Sequence, residues 1–123
     1  MPSSMRLRAR RVLNGEIWLA NLNPGKGHEP SKVRPVLIVQ GQALLDARHP
    51  STLIVPLTTQ LMEDAEPLRL RVAAQGRLES DSDLLIDQLR AIDNRRLIDG
   101  PLLRCDSELM MRVYAAIRDI MET

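Results

Sequence analysis

Between Gly15 and Gln40 two runs rich in strand formers, Ile17-Trp18-Leu19-Ala20-Asn21-Leu22 and Val36-Leu37-Ile38-Val39, enclose a polar stretch punctuated by Pro24, Gly25, Gly27, Pro30 and Pro35. Neither run alternates apolar with polar, so each reads as a strand buried on both faces. A small, tightly bent sheet offers such positions; a flat sheet with one wet face does not. Proline and glycine at this density force a loop between the runs. Loops fixed between buried strands are where chains present functional groups. This one holds His28 and Glu29, with Arg34 at its exit.

The rest of the chain continues the pattern. Further strands are expected over 52–57, over 68–72, where Leu68, Leu70 and Val72 alternate with Arg69 and Arg71 on a wet face, and over 82–86 and 88–93. Ala43 to Ala47 and Asn94 to Leu97 read as short helical turns, the second ending before Gly100-Pro101. A helix is expected from Ser107 to Met121, with Asp106 as N-cap and Leu109, Met110, Val113, Tyr114, Ile117, Ile120 and Met121 on one face, which reads as packing. Many short strands followed by one amphipathic helix indicate a mainly β, α+β fold: a small antiparallel barrel closed by a C-terminal helix. At 123 residues the chain reads as one domain over 1–123, with 1–12 a flexible basic arm.

Composition narrows the function classes. With no Phe, one Trp and one Tyr, the core is left to Leu, Ile, Val, Met and Ala, and readers that stack bases on aromatic platforms are disfavoured. A net charge of +1 gives no general affinity for nucleic acid, so any RNA binding must come from local placement of charge. Cys105 is the single cysteine, which excludes an internal disulfide and a cysteine-based metal site. His28 and His49 have no paired spacing, so neither a metal nor another cofactor is expected. No apolar run approaches the roughly 20 residues that span a bilayer, and the N-terminal arginines are not followed by the apolar stretch of a secretory signal, so none is expected. A cytoplasmic protein with no membrane partner is expected.

Four motifs fall in register: Gly15-Glu16-Ile17-Trp18-Leu19, Asn23-Pro24-Gly25-Lys26-Gly27-His28-Glu29 before the Arg34-Pro35 step, Pro56-Leu57-Thr58-Thr59-Gln60, and Asp87-Gln88-Leu89-Arg90-Ala91-Ile92-Asp93. Together they resemble the MazF/PemK family of toxin endoribonucleases. The resemblance implies an SH3-like barrel with a C-terminal helix, assembled as a homodimer. It also implies metal-independent, sequence-selective cleavage of single-stranded mRNA to a 2′,3′-cyclic phosphate and a 5′-hydroxyl. A cognate antitoxin protein would restrain it, and promoter DNA would be bound only by the toxin-antitoxin complex. The catalytic role passes to Arg34 and Thr58, with Glu29 as base or supporting group, and RNA contacts to Lys26, His28, Lys32, Gln60 and Gln88.

The chemistry agrees with these residue types. Attack by a 2′-hydroxyl on the adjacent phosphate needs a base, an acid on the leaving oxygen and charge at the phosphorane. A guanidinium can grip two phosphate oxygens at once, and Pro35 holds Arg34 extended. An arginine does not deprotonate near neutral pH, so the base is Glu29 or, with its pKa in the right range, His28. The alternative is a CcdB-like gyrase poison, which shares the barrel and uses a C-terminal Trp-Gly-Ile. This chain ends Ile120-Met121-Glu122-Thr123.

Overall fold

The computed structural model describes residues 11–22 and 32–122, so most of the expected basic arm and the loop segment 23–31 lie outside the described residues. The elements run β1 (Glu16–Asn21), β2 (Val33–Ile38), α1 (Gln42–Asp46), β3 (Ser51–Thr58), β4 (Arg69–Val72), β5 (Ser82–Leu85), β6 (Arg90–Asp93), β7 (Leu97–Arg104) and α2 (Ser107–Met121). Single 3-10 turns occupy Ile86–Gln88 and Asn94–Arg96.

The strands hydrogen-bond in the order β4-β5-β3-β2-β1-β7, all neighbours antiparallel. β3 is long enough to serve two partners along one edge: Leu57 and Thr58 face Leu84 and Asp83 of β5, while Ser51 to Ile54 face β6. Between those partners the chain makes the 3-10 turn at Ile86–Gln88, which carries it from β5 to β6 along the same edge of β3.

Because side chains alternate, each central strand feeds two cores. Ile17, Leu37, Val55 and Leu57 point to one side and pack with Leu70, Leu84, Met110 and Val113 under α2. Trp18, Ala20, Val36, Ile38, Ile54 and Ile92 form the second cluster on the opposite side. The absence of polar alternation in the two leading runs therefore has its cause in cores on both faces. Burial of this kind contributes about 1.5–3 kcal/mol per large aliphatic side chain.

The barrel expectation needs a correction. The sheet is not closed: β4 and β7 are the two ends of the hydrogen-bonded path. β4 has only four residues and Pro101 in β7 has no N–H to give, so no ladder forms between them. The gap is crossed at the turn after β4, where the Arg77 N–H donates to the Leu102 carbonyl at 2.8 Å.

β7 itself differs from expectation, since the sequence places only a helical turn before Gly100-Pro101 and predicts no strand through it. The strand runs through both residues because it lies on the sheet's edge, where proline is tolerated. A Cβ at Gly100 would collide with the indole ring of Trp18, so glycine is required there for Trp18 to lie buried across the strand. The pairing with β1 slips around this point.

α2 matches its predicted limits, and Asp106 caps it by accepting the Leu109 N–H at 2.8 Å. Met110, Val113 and Ala116 are buried and Leu109, Tyr114, Ile117 and Ile120 pack partly against the core. Met121 does not join that face; it is 59% exposed past the end of the core. The Tyr114 hydroxyl accepts from Asn14 Nδ2 at 2.7 Å and donates to the Val39 carbonyl, tying the helix to the end of β2. No helix among the described residues is long and apolar enough to cross a membrane.

Candidate active site

Arg34 sits on β2, half-buried, opposite Ala20 of β1. On the other side of β2 the ladder to β3 pairs Ile38 with Ile54, Leu37 with Val55 and Val36 with Pro56. Followed two residues further, the same register brings Arg34 level with Thr58. Directly opposed residues in an antiparallel pair share a face, so Arg34 and Thr58 lie on the Trp18–Val36 side of the sheet. The paired stretch ends at Val36–Pro56, where Pro35 and Pro56 both lack an N–H.

Thr58 is half-buried at the last position of β3, and its Oγ1 accepts the Gln60 N–H at 3.2 Å. With a lone pair engaged, the hydroxyl proton remains to be donated outward. Among the described residues Arg34 has no carboxylate partner; Arg11, Arg69, Arg71, Arg77, Arg95 and Arg112 hold carboxylates, and Arg48, Arg90, Arg104 and Arg118, which do not, are exposed where Arg34 is half-buried.

Lys32 is exposed at the entry to β2, and its carbonyl accepts the Leu22 N–H at 2.9 Å, which draws the two ends of the 23–31 segment together beside Arg34. Arg96, which sequence reasoning did not single out, reaches the same place and donates from Nη1 to the Asn21 carbonyl at 3.1 Å. Gln60 is exposed just past Thr58. Gln88 is exposed on the 3-10 turn between β5 and β6, on the flank of β3 away from β2. Lys26, His28 and Glu29 lie outside the described residues.

Asp83, opposite Thr58 on β5, is also new. It is 1% exposed and accepts Arg71 Nε at 2.6 Å, the Met62 N–H at 2.9 Å and Arg69 Nη1 at 3.4 Å. Burial pushes its carboxyl up, but the hydrogen bonds from Arg71, the Met62 N–H and Arg69 together outweigh that and hold it below the ordinary value of 3.8. Arg69 and Arg71 are thus not simply the wet face of a strand. An aspartate flanked by Ser82 and the apolar Leu84-Leu85 is the sequence signal that a cation must stand opposite.

A cleft of about 470 Å³, walled by Leu19, Pro35, Thr59, Arg77 and Leu78, opens on the α2 side of the same strand ends, away from Arg34 and Thr58. Among the described residues no group of His, Cys, Asp and Glu side chains could hold a metal ion. The buried Cys105 thiol is pushed up to about 11 by its burial and by Asp106, which removes it as a nucleophile near neutral pH.

Residues 13–121 match the family described as PemK-like, MazF-like toxin of type II toxin-antitoxin system. The chain belongs to this family. A curated relative, Endoribonuclease EndoA of Bacillus subtilis (strain 168), is 32% identical over 108 residues, covering 87% of this chain and 91% of that protein. Among solved structures, the MazE-MazF complex of Deinococcus radiodurans contains a chain that superposes with a TM-score of 0.76 at 18% identity, covering 93% of this chain and 98% of that one. The Mycobacterium tuberculosis toxin MazF-mt6 gives 0.70 at 20% identity over 87% and 96% of the two chains. At these identities the structures establish the MazF fold, while the sequence matches establish the family. This MazF/PemK chain is accordingly a toxin of the type II toxin-antitoxin class within an endoribonuclease family, and these matches give the gyrase-poison alternative no support.

Proposed function

We propose that this MazF/PemK chain is a metal-independent endoribonuclease that cuts single-stranded mRNA at selected sequences, acting in the cytoplasm with 1–123 as one domain. In this reading the 2′-hydroxyl attacks the neighbouring phosphorus, the bond from phosphorus to the 5′-oxygen breaks, and the leaving oxygen takes up a proton. The products are a 2′,3′-cyclic phosphate and a 5′-hydroxyl. Arg34 grips the phosphate oxygens as their charge rises, and Thr58 donates its hydroxyl to the same centre. Glu29 takes the proton from the 2′-hydroxyl, with His28 as the neighbouring proton-transfer group. Lys26 and Lys32 hold the RNA backbone, and Gln60 and Gln88 offer amides to base edges.

What supports this reading is a half-buried arginine with no carboxylate partner among the described residues, two positions past the last β2–β3 pair, Val36–Pro56, and so in step with Thr58 when that register is extended. The family supplies the partners proposed for it: a second copy in a homodimer, a cognate antitoxin lying across the RNA groove, and promoter DNA only through the toxin-antitoxin complex. An endoribonuclease from mycobacterial species has been solved in complex with its cognate antitoxin. The test is a gel of a defined RNA incubated with the protein in EDTA, followed by end analysis. Discrete cuts with 5′-hydroxyl ends are expected. Cutting that requires added metal, or none at all, overturns the proposal.

A further inference from the structure

We propose that Arg69 and Asp83 are positioning residues for the cleavage site, fixing the Gln60–Met62 backbone and through it the direction of the Thr58 hydroxyl. The inference rests on the reading of Thr58 as a phosphate donor.

After Thr58 the chain leaves the sheet, and Thr59, Gln60, Leu61 and Met62 are all exposed. A segment that buries so little is ordered by its polar contacts or not at all. Those contacts form a chain. The Gln60 N–H donates to Thr58 Oγ1 at 3.2 Å, the Gln60 carbonyl accepts Arg69 Nη1 at 2.7 Å, and the Met62 N–H donates to Asp83 Oδ2 at 2.9 Å. The two backbone groups that bracket Leu61 are therefore held by one ion pair. That pair is rigid, because Asp83 lies across the ladder from Thr58 on one side and from Arg71 on the other, and Arg71 Nε closes on its second oxygen at 2.6 Å.

A guanidinium present only to neutralise Asp83 would make its shortest contact there. Arg69 instead stands 3.4 Å from Asp83 and 2.7 Å from the Gln60 carbonyl, so its tighter bond is to the segment that carries the Thr58 partner. Arg71 completes the frame by pairing with Glu63 at 3.1 Å.

The test is a double-mutant cycle read by single-turnover cleavage, with binding followed by anisotropy on a labelled oligonucleotide carrying a 2′-deoxy block at the cut. Arg69→Met is expected to slow cleavage about 10-fold while RNA affinity stays within about 2-fold, since an orientation effect falls on the chemical step. Arg69→Lys should recover part of the rate through the Gln60 carbonyl. In a Thr58→Ala background, Arg69→Met should cost less than about 2-fold, because the hydroxyl it orients is gone. An unchanged rate in Arg69→Met, or the same loss with and without Thr58, overturns the positioning role. If Arg69→Met fails to fold, Asp83→Asn in the same cycle decides by the same criteria. A wild-type rate in Thr58→Ala alone brings down the underlying reading of the site instead.

Discussion

Arg34 on one side of Thr58 and the Arg69–Arg71 pair on the other are the same side chain put to opposite uses. Arg69 and Arg71 converge on a carboxylate that is 1% exposed, and Arg71 also reaches the exposed Glu63, so their charge is met by the protein's own carboxylates. Arg34, on the strand across from Thr58, meets no carboxylate among the described residues. An exposed or half-buried arginine is informative only after its partners are known. Among the described residues Arg48, Arg90, Arg104 and Arg118 also hold no carboxylate, but they are exposed to water; Arg34 differs in being half-buried, where an unanswered charge is costly and an anion is favoured.

The comparison breaks most sharply at Arg34. Arg34→Ala should slow cleavage in EDTA by about 10³-fold, the upper range for loss of one charge-stabilising donor, with a melting temperature unchanged to within a few degrees. A variant that cuts normally, or one that melts far earlier, would make Arg34 a structural residue like its counterparts on β4. Asp83→Ala is the mirror experiment. It strands two guanidinium groups, and a loss of about 3 kcal/mol is expected, at the low end for breaking a buried pair because both arginines reach water. Urea unfolding measures it; a loss under 1 kcal/mol would mean the pair contributes little to the fold.

The same two regions differ in how far the sequence revealed them. Strand formers and Pro35 place Arg34 on β2 and Thr58 at the end of β3, but what singles the two out is the motif resemblance, because an arginine before a proline and a strand-end threonine are ordinary residues by themselves. The helix is legible from its cap and periodicity. Arg69 and Asp83 are not, because alternation in β4 says only that the arginines oppose the buried Leu70 and Val72; what they meet depends on pairing with β5, some dozen residues on. β7 was hidden for a related reason. Gly100 and Pro101 are strand breakers by local preference, and their place in a strand follows from Trp18 and from the free edge, both remote in sequence.

Thr58→Ala sharpens the comparison from the middle. Loss of a neutral donor should cost on the order of 10²-fold in single-turnover rate, less than Arg34→Ala because no charge is removed. Thr58→Ser, which keeps the hydroxyl and its acceptor role toward Gln60, should retain most of the activity. Equal losses in both variants would assign the effect to packing of the methyl group rather than to the hydroxyl.

The smallest effect expected is in acid, and it belongs to the Asp83 side alone. The Asp83 carboxyl is held below its ordinary value of 3.8 in the folded protein, so its pairing is fully stabilising above that value and is lost as pH falls through the lowered one. Asp93, held down to about 2 by the side chain and backbone N–H of Arg95, titrates in acid too. It does so equally in wild type and in Asp83→Asn, so it cancels in their difference. That difference, taken from urea midpoints, should be constant from pH 7 to about 5 and shrink below 3.8. If it holds constant into strong acid, the Asp83 pairs are not formed by an ionised carboxylate, and the contrast with Arg34 loses its electrostatic basis.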